Sequence, residues 1–169
     1  MLIRHGSAAD APVLAALARD TFFDTFAATN DATDMALHLE RAYGEPQQGA
    51  ELTDSAITTL LVEDGGETVA YAQIRAGHAP GCVSDVAPLE LWRFYVRREW
   101  HGRGIAQALM ARVVAEVVSA GATTLWLGVW EHNLRALAFY GKCGFVDVGE
   151  HVFMFGTDPQ TDRVMARSL

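Results

Sequence analysis

Apolar residues along the first third of the chain recur at helical spacing. Leu2–His5 reads as a short strand, and Ser7 then stands as an N-cap with Asp10 three residues on, in capping-box position. Behind it Val13, Leu14, Leu17 and Ala18 share one helix face. Residues 33–43 predict a second helix with Met35, Leu39 and Ala42 inward; Gly44 and Pro46 end it, and a short helical piece precedes Ser55. The period then drops to two. Residues 58–63 and 68–76 alternate as strands about Asp64-Gly65-Gly66, the chemistry of a hairpin turn. Gly77, Pro80, Gly81 and Pro88 mark residues 78–88 as a loop, and residues 90–96 form the next strand. Residues 102–119 predict a long helix whose Ile105, Leu109, Met110, Val113, Val114 and Val117 form a wide buried stripe, stopped by Gly121. The nearly continuous apolar run 123–130 suits a strand covered on both faces. A helix over 133–142 follows, with Leu134, Leu137 and Ala138 inward. A strand then runs from Gly144 through Phe155, and residues 163–167 pair with it as the last. With no repeat and no linker, residues 1–169 form a single domain of the α/β (α+β) class, a mixed sheet with helices on both faces.

Composition narrows the class. At 50% hydrophobic and 20% charged residues, the chain is neither disordered nor fibrous. No apolar run approaches the roughly 18 residues of a membrane span, and the first residues lack the apolar core of a secretory signal. Cys82 and Cys143 make neither a disulfide framework nor a metal-ligand spacing. The expectation is a reduced, soluble, cytoplasmic enzyme or binding domain with no membrane partner. A net charge of −8 argues against a nucleic-acid partner. The charge is unevenly spread: residues 1–85 carry −9 and residues 86–169 carry +1, with Arg93, Arg97, Arg98 and Arg103 close together. One end then suits an anion and the other a cation; a solvated acidic surface that keeps the chain soluble is the alternative.

The most informative segment is His101-Gly102-Arg103-Gly104-Ile105-Ala106, between a strand and a helix. Two glycines free the backbone amides, the helix start adds its positive dipole end, and Arg103 adds a full charge, which is the physics of a diphosphate cradle. Plain turn chemistry is the competing reading. Neither the nucleotide P-loop nor the dinucleotide fingerprint is met.

A second segment, residues 130–145, completes a pattern. Together the two resemble the GNAT acetyltransferases, which use acetyl-coenzyme A. The family's pyrophosphate loop, Gln/Arg-x-x-Gly-x-Gly/Ala, is matched by His101, Gly104 and Ala106, with His in the first place. Its later signature, Asn-x-x-Ala-x-x-x-Tyr-x-x-x-Gly-Phe, is met at Asn133, Ala136, Tyr140, Gly144 and Phe145. The resemblance implies the GNAT fold, a mixed central sheet of about six to seven strands with helices on both faces. Residues 125–167, with Gly149-Glu150-His151, Phe153, Gly156 and Gln160-Thr161-Asp162, together with Thr21-Phe22-Phe23-Asp24-Thr25-Phe26, are similar to bacterial spermidine/spermine acetyltransferases of the PaiA type.

What the resemblance implies is direct transfer from acetyl-coenzyme A to a primary amine, with no metal and no covalent enzyme intermediate. Tyr140 is the implied general acid, its alternative a core tyrosine: a phenol of pKa about 10 can protonate a leaving thiolate of pKa about 8.5. Glu90 is the candidate base, directly or through a water, since alternation puts it on the face of Phe94 and Val96. A glutamate facing solvent or pairing Arg93 is the equal reading. Trp92, on that same face, cannot serve; Glu131, His132 and His101 are further candidates. Cys143 and Cys82 read as small packing residues. The backbone of Phe94, Tyr95 and Val96 would meet the pantetheine arm as an added strand. His101, Gly102, Arg103, Gly104, Ile105 and Ala106 would hold the pyrophosphate. Asn133, with Ala136, would contact the pantetheine end, and Lys142 would either reach the nucleotide phosphates or lie solvated. The acceptor would lie against the N-terminal helices, where Asp20, Asp24, Asp31, Asp34 and Glu40 attract a polycation such as spermidine and Tyr43 or Phe26 offers a cation–π face. A protein or peptide acetyltransferase and a non-catalytic coenzyme-A sensor are the alternatives. A homodimer through residues 153–167 is a further expectation, with core packing of residues 152–155 as its rival.

Overall fold

Residues 1–77, 79–155 and 158–169 are described in the computed structural model; His78 and Gly156, read above as part of a loop and of the PaiA-like segment, lie outside the described residues. In chain order the elements are β1 Leu2–His5, α1 Ala11–Phe26, α2 Ala32–Tyr43, α3 Glu45–Thr53, β2 Ile57–Asp64, β3 Glu67–Ala76, β4 Leu89–Val96, α4 Ile105–Ser119, β5 Thr124–Trp130, α5 Leu134–Lys142, β6 Val146–Phe155 and β7 Asp158–Ser168. They make one seven-stranded sheet in the order β1-β2-β3-β4-β5-β7-β6. Among the described residues only β4 and β5 are parallel neighbours; the other pairs run antiparallel.

Strand alternation divides the core between the two faces. Leu60, Val62, Ala70 and Ala72 pack with the α4 stripe of Ile105, Leu109, Met110, Val113 and Val117. Leu61 and Tyr71 turn the other way, onto Leu14, Leu17, Phe22, Met35 and Leu39 of α1 and α2. The run in β5 is apolar for the expected reason, since Leu125, Leu127 and Val129 join the α4 core while Trp126 packs on Val83 and Val164 across the sheet.

Helix ends follow local chemistry. The Asp10 carboxylate accepts from the Ser7 backbone N–H and hydroxyl, both at 2.8 Å, and takes a two-pronged contact from Arg4. Its pKa is held far below the usual carboxylate range by the Arg4 hydrogen bonds, against the opposing cost of burial. α4 starts three residues later than its apolar pattern, because Gly102 and Gly104 sit at φ 78° and 80°, outside helical space. It ends on Gly121 at φ 79°, where the Ala122 and Gly121 N–H groups bond back to Val117 and Val118, a Schellman cap.

Three expectations change. Val13 is exposed, because the buried stripe of α1 runs through Ala11, Leu14, Leu17, Ala18 and Phe22. In α5 the inward residues are Ala136, Leu137, Phe139 and Tyr140. Leu137 faces inward as expected, but Leu134 is 74% exposed and Ala138 exposed, since the short helix is docked by Leu137 with its aromatic pair. β7 is longer than residues 163–167 and pairs on both sides, with β6 and with β5. Its polar first half carries no apolar alternation, and the ladder with β6 is what makes it a strand.

Candidate active site

β4 and β5 pair only at Leu89↔Leu125 and Glu90↔Trp126, then part. Beyond that fork lies a cleft of about 1360 Å³, walled by Phe94, Tyr95 and Val96 of β4, by Gly128 and Trp130 of β5, and by Tyr140 of α5. A strand that loses its neighbour leaves backbone N–H and C=O groups to be met by something else. Residues 91–96 thus offer one unpaired edge of β4 to the cleft.

The same strand carries a bulge. Gln73 faces Arg93 and Ile74 faces Leu91, so Trp92 is the extra residue. The bulge resets the alternation: Leu89, Leu91, Phe94 and Val96 all pack toward α4, whereas Tyr95 packs toward α1 and α2. Glu90 therefore does not share a face with Phe94 and Val96, as a regular strand would have it. It stands opposite Arg75 in the ladder, and its Oε2 accepts from Arg75 Nε at 2.5 Å. Both still border the cleft. Arg93, the other partner proposed for Glu90, is instead bonded to Glu51 of α3 and to Gln73 Oε1 at 2.7 Å. Its guanidinium lies between the rings of Trp92 and Tyr43, at 3.7 and 4.8 Å.

At the open end of the cleft the chain turns from β4 into α4. Neither Gly102 nor Gly104 would bring a Cβ within 4 Å of another atom, so the space beside the turn is open, and the positive φ angles exclude a relaxed side-chain-bearing residue. The first-turn N–H groups of α4 have no acceptor within the helix. Ile105 contributes only its backbone there, because its side chain is in the core at 2% exposure. His101 Nε2–H donates to the Val96 carbonyl at 2.8 Å, so its ring ties the turn to the strand. Arg103 lies over the Trp100 ring, 4.5 Å away, and Arg98 borders the cleft.

On the opposite wall Asn133 caps α5, its Oδ1 accepting the Ala136 N–H at 3.1 Å, and both residues line the cleft. Tyr140 is buried between Phe94, Phe139 and Phe145, edge-on to each, with ring centroids 5.5–6.3 Å away. Burial, with Cys143 adding, pushes its phenol well above the ordinary value, so it holds its proton at every working pH. Cys143 is partly buried against the α4 core, and Cys82 packs on Gly149. Lys142 and His132 are exposed and Glu131 is half-buried; none of the three lines the cleft.

The N-terminal helices form the remaining side. Of the acidic residues expected there, Asp24 alone borders the cleft. Asp20 pairs with Arg97 at 3.2 Å, Asp31 caps α2, and Glu40 edges a separate small pocket. Tyr43 is only 3% exposed and its ring face is taken by Arg93. Phe26 does line the cleft, beside Phe22 and His38, stacked at 4.6 Å. Burial, then Arg93, holds the His38 imidazole below its ordinary value. The sequence reading missed Arg75 and the Glu51–Arg93 pair, whose partners are far apart in the chain. It also gave no role to His151 and Asp162, which border the cleft. The signal for that last pair was present: a lone glycine, Gly128, inside an apolar strand marks a close approach.

The unpaired edge and the open two-glycine turn suit a long, strand-like carrier ending in a diphosphate, and the architecture is that of a carrier-dependent acyl transferase. Residues 17–145 match the acetyltransferase (GNAT) family, and the chain belongs to that family. It is an acetyl-CoA-dependent N-acetyltransferase. It is 34% identical to an uncharacterized N-acetyltransferase of Lactobacillus delbrueckii subsp. lactis over 160 residues, 95% of this chain and 92% of that one. It is 33% identical to an uncharacterized N-acetyltransferase of Mycobacterium tuberculosis over 160 residues, 95% and 98% of the two chains. The fold matches the crystal structure of a PaiA N-acetyltransferase from Thermoplasma acidophilum in complex with coenzyme A, with TM-score 0.80, 19% identity and coverage of 99% and 98%.

Proposed function

We propose that the chain acetylates the primary amine of a small polyamine of the spermidine/spermine kind, by direct transfer. The observation that carries this reading is the meeting of the β4–β5 fork, the diphosphate turn and Tyr140 on one cleft that also holds the carboxylates of Asp24, Glu90 and Asp162. Bound acetyl-CoA supplies an activated thioester carbonyl. The backbone of Phe94, Tyr95 and Val96 aligns the carrier arm, and the amides of residues 102–106 with Arg103 bind its diphosphate. Asn133 and Ala136 border the arm's far side. Tyr140 donates its proton to the departing sulfur. Glu90, locked to Arg75, marks the closed end and attracts the ammonium. Phe26 and Trp130 give the cation aromatic faces.

Thiol release from acetyl-CoA, measured against spermidine, spermine, putrescine, lysine, aminoglycosides and short peptides, tests the reading. Turnover is expected to be fastest with spermidine or spermine, and salt is expected to raise their KM. Preference for an aminoglycoside or a peptide would replace the polyamine. No release with any amine, while acetyl-CoA raises the melting temperature, would leave a coenzyme-A sensor instead.

The reading includes a homodimer. β6 is the outer strand of the sheet, and Val152 and Met154 are 67% and 56% exposed on one face of it, a surface suited to a second copy. Light scattering is expected to give twice the 18.4 kDa chain mass; a monomer's mass would remove the dimer.

A further inference from the structure

His151 and Asp162 stand directly opposite each other in the β6–β7 ladder, with Nε2 3.8 Å from Oδ2. Both side chains border the cleft, at 31% and 15% exposure. Beneath them is Gly128 of β5: a Cβ there would stand 3.1 Å from the imidazole Cε1 and 3.3 Å from the Asp162 carboxylate. The glycine thus lets an imidazole lie flat on the strand. Gly128 is the second residue past Trp126, the last of β5 to pair with β4, so the ring sits at the fork. A carrier anchored at residues 101–106 and running down β4 brings its reactive end toward that fork.

Three other candidates for a proton acceptor already have close neighbours. Oε2 of Glu90 is bonded to Arg75, His101 donates to Val96, and His38 is stacked on Phe22 and tilted against Phe155. The surroundings of His151 are well defined. Asp162 faces it from β7, Cys82 packs on the same face at Gly149, and Phe153, two residues on, meets His38 of α2. Glu150 and Asp147 are bound to Arg163.

The geometry points to His151, oriented by Asp162, as the group that takes the proton from the incoming ammonium; this rests on the amine-acetylation reading. An imidazole is the side chain whose ordinary titration falls between pH 5 and 8, which suits it to strip an ammonium in a working enzyme. The ammonium gives one proton to His151, which passes it to solvent. The freed nitrogen lone pair forms the C–N bond as the C–S bond breaks. The sulfur takes the Tyr140 proton, and the second nitrogen proton returns to Tyr140 through water. The sum is ammonium plus thioester giving amide, thiol and one proton. Asp162 is a positioning residue: its carboxylate, 3.8 Å from Nε2 and so beyond direct hydrogen-bond length, keeps the ring over Gly128 by charge and packing. Burial keeps its own carboxyl above the usual range, with His151 opposing.

The test is kcat/KM against pH for the best amine of the panel, with wild type, His151→Gln, His151→Ala and Asp162→Asn. In His151→Gln the value at neutral pH is expected to fall on the order of 100-fold. Its rise with pH should then follow the amine's own ionisation, near about 10.4 for an alkylamine. KM for acetyl-CoA should hold. Added imidazole should restore part of the activity of His151→Ala, which a merely structural role would not allow. Asp162→Asn should move the acid limb of the profile. A wild-type profile in His151→Gln, or no imidazole rescue, overturns the assignment to His151 while leaving amine acetylation intact. A wild-type chain that acetylates no amine overturns the reading beneath it.

Discussion

Glu51→Ala is expected to destabilise the protein by about 3–5 kcal/mol, because it strands a buried guanidinium. Arg93 and Glu51 are 6% and 4% exposed, and their hydrogen-bond partners are Gln47, Gln73, the Ala42 carbonyl and each other. Removing the carboxylate leaves the cation buried without its counter-charge. For a chain of this length the melting temperature should drop by roughly 6–20 °C. Glu51→Gln keeps an oxygen acceptor and should lose less. The double variant Glu51→Leu with Arg93→Met should be more stable than Glu51→Ala, since apolar replacement of both partners removes the stranded charge. Urea unfolding measures all three; a loss below about 1 kcal/mol in Glu51→Ala, the range of an exposed pair, would show that the pair carries little. Because Arg93 sits beside the bulged Trp92, survivors of this series should also lose alignment of the β4 edge, read as a higher KM for acetyl-CoA.

Tyr140→Phe should lower kcat by about 100-fold or more, at the low end of acid catalysis because a thiolate is already a fair leaving group. The ring packing on Phe94, Phe139 and Phe145 is kept, so folding and KM for acetyl-CoA should hold. The sign of the pH effect follows from burial. Since the phenol's pKa lies above its ordinary value, loss of the acid sets in only beyond that value, and the wild-type rate should not decline between pH 8 and about 10 on its account. Stopped-flow thiol release across that range checks it. A kcat within threefold of wild type would remove Tyr140 from the chemistry.

Most of the fold was legible because its signals are local. Gly121 adopts the left-handed conformation its place after the α4 stripe suggested, and Asn133 caps the helix it precedes. The α4 stripe is buried as its spacing required. These depend on φ, ψ and periodicity within a few residues, which is what a sequence writes down directly. The motif residues His101 to Ala106 and Asn133 to Phe145 likewise carried the family, since a two-glycine turn and a capped helix are each built from one continuous segment.

Glu90 shows where that reasoning stops. Its face depends on which residue of β4 is the extra one, and a bulge exists only relative to the partner strand. The same holds for Arg93, whose counter-ion is 42 residues away. It holds for α5, turned onto its aromatic side by the sheet beneath it, and for β7, a strand because two neighbours pair with it. The amino-acid sequence by itself determined the kinds and order of most elements and the motif segments that carry the family. Only the tertiary structure decided which side chains meet at the fork, because strand register and the pairing of distant charges are set by contacts between segments that share no local code.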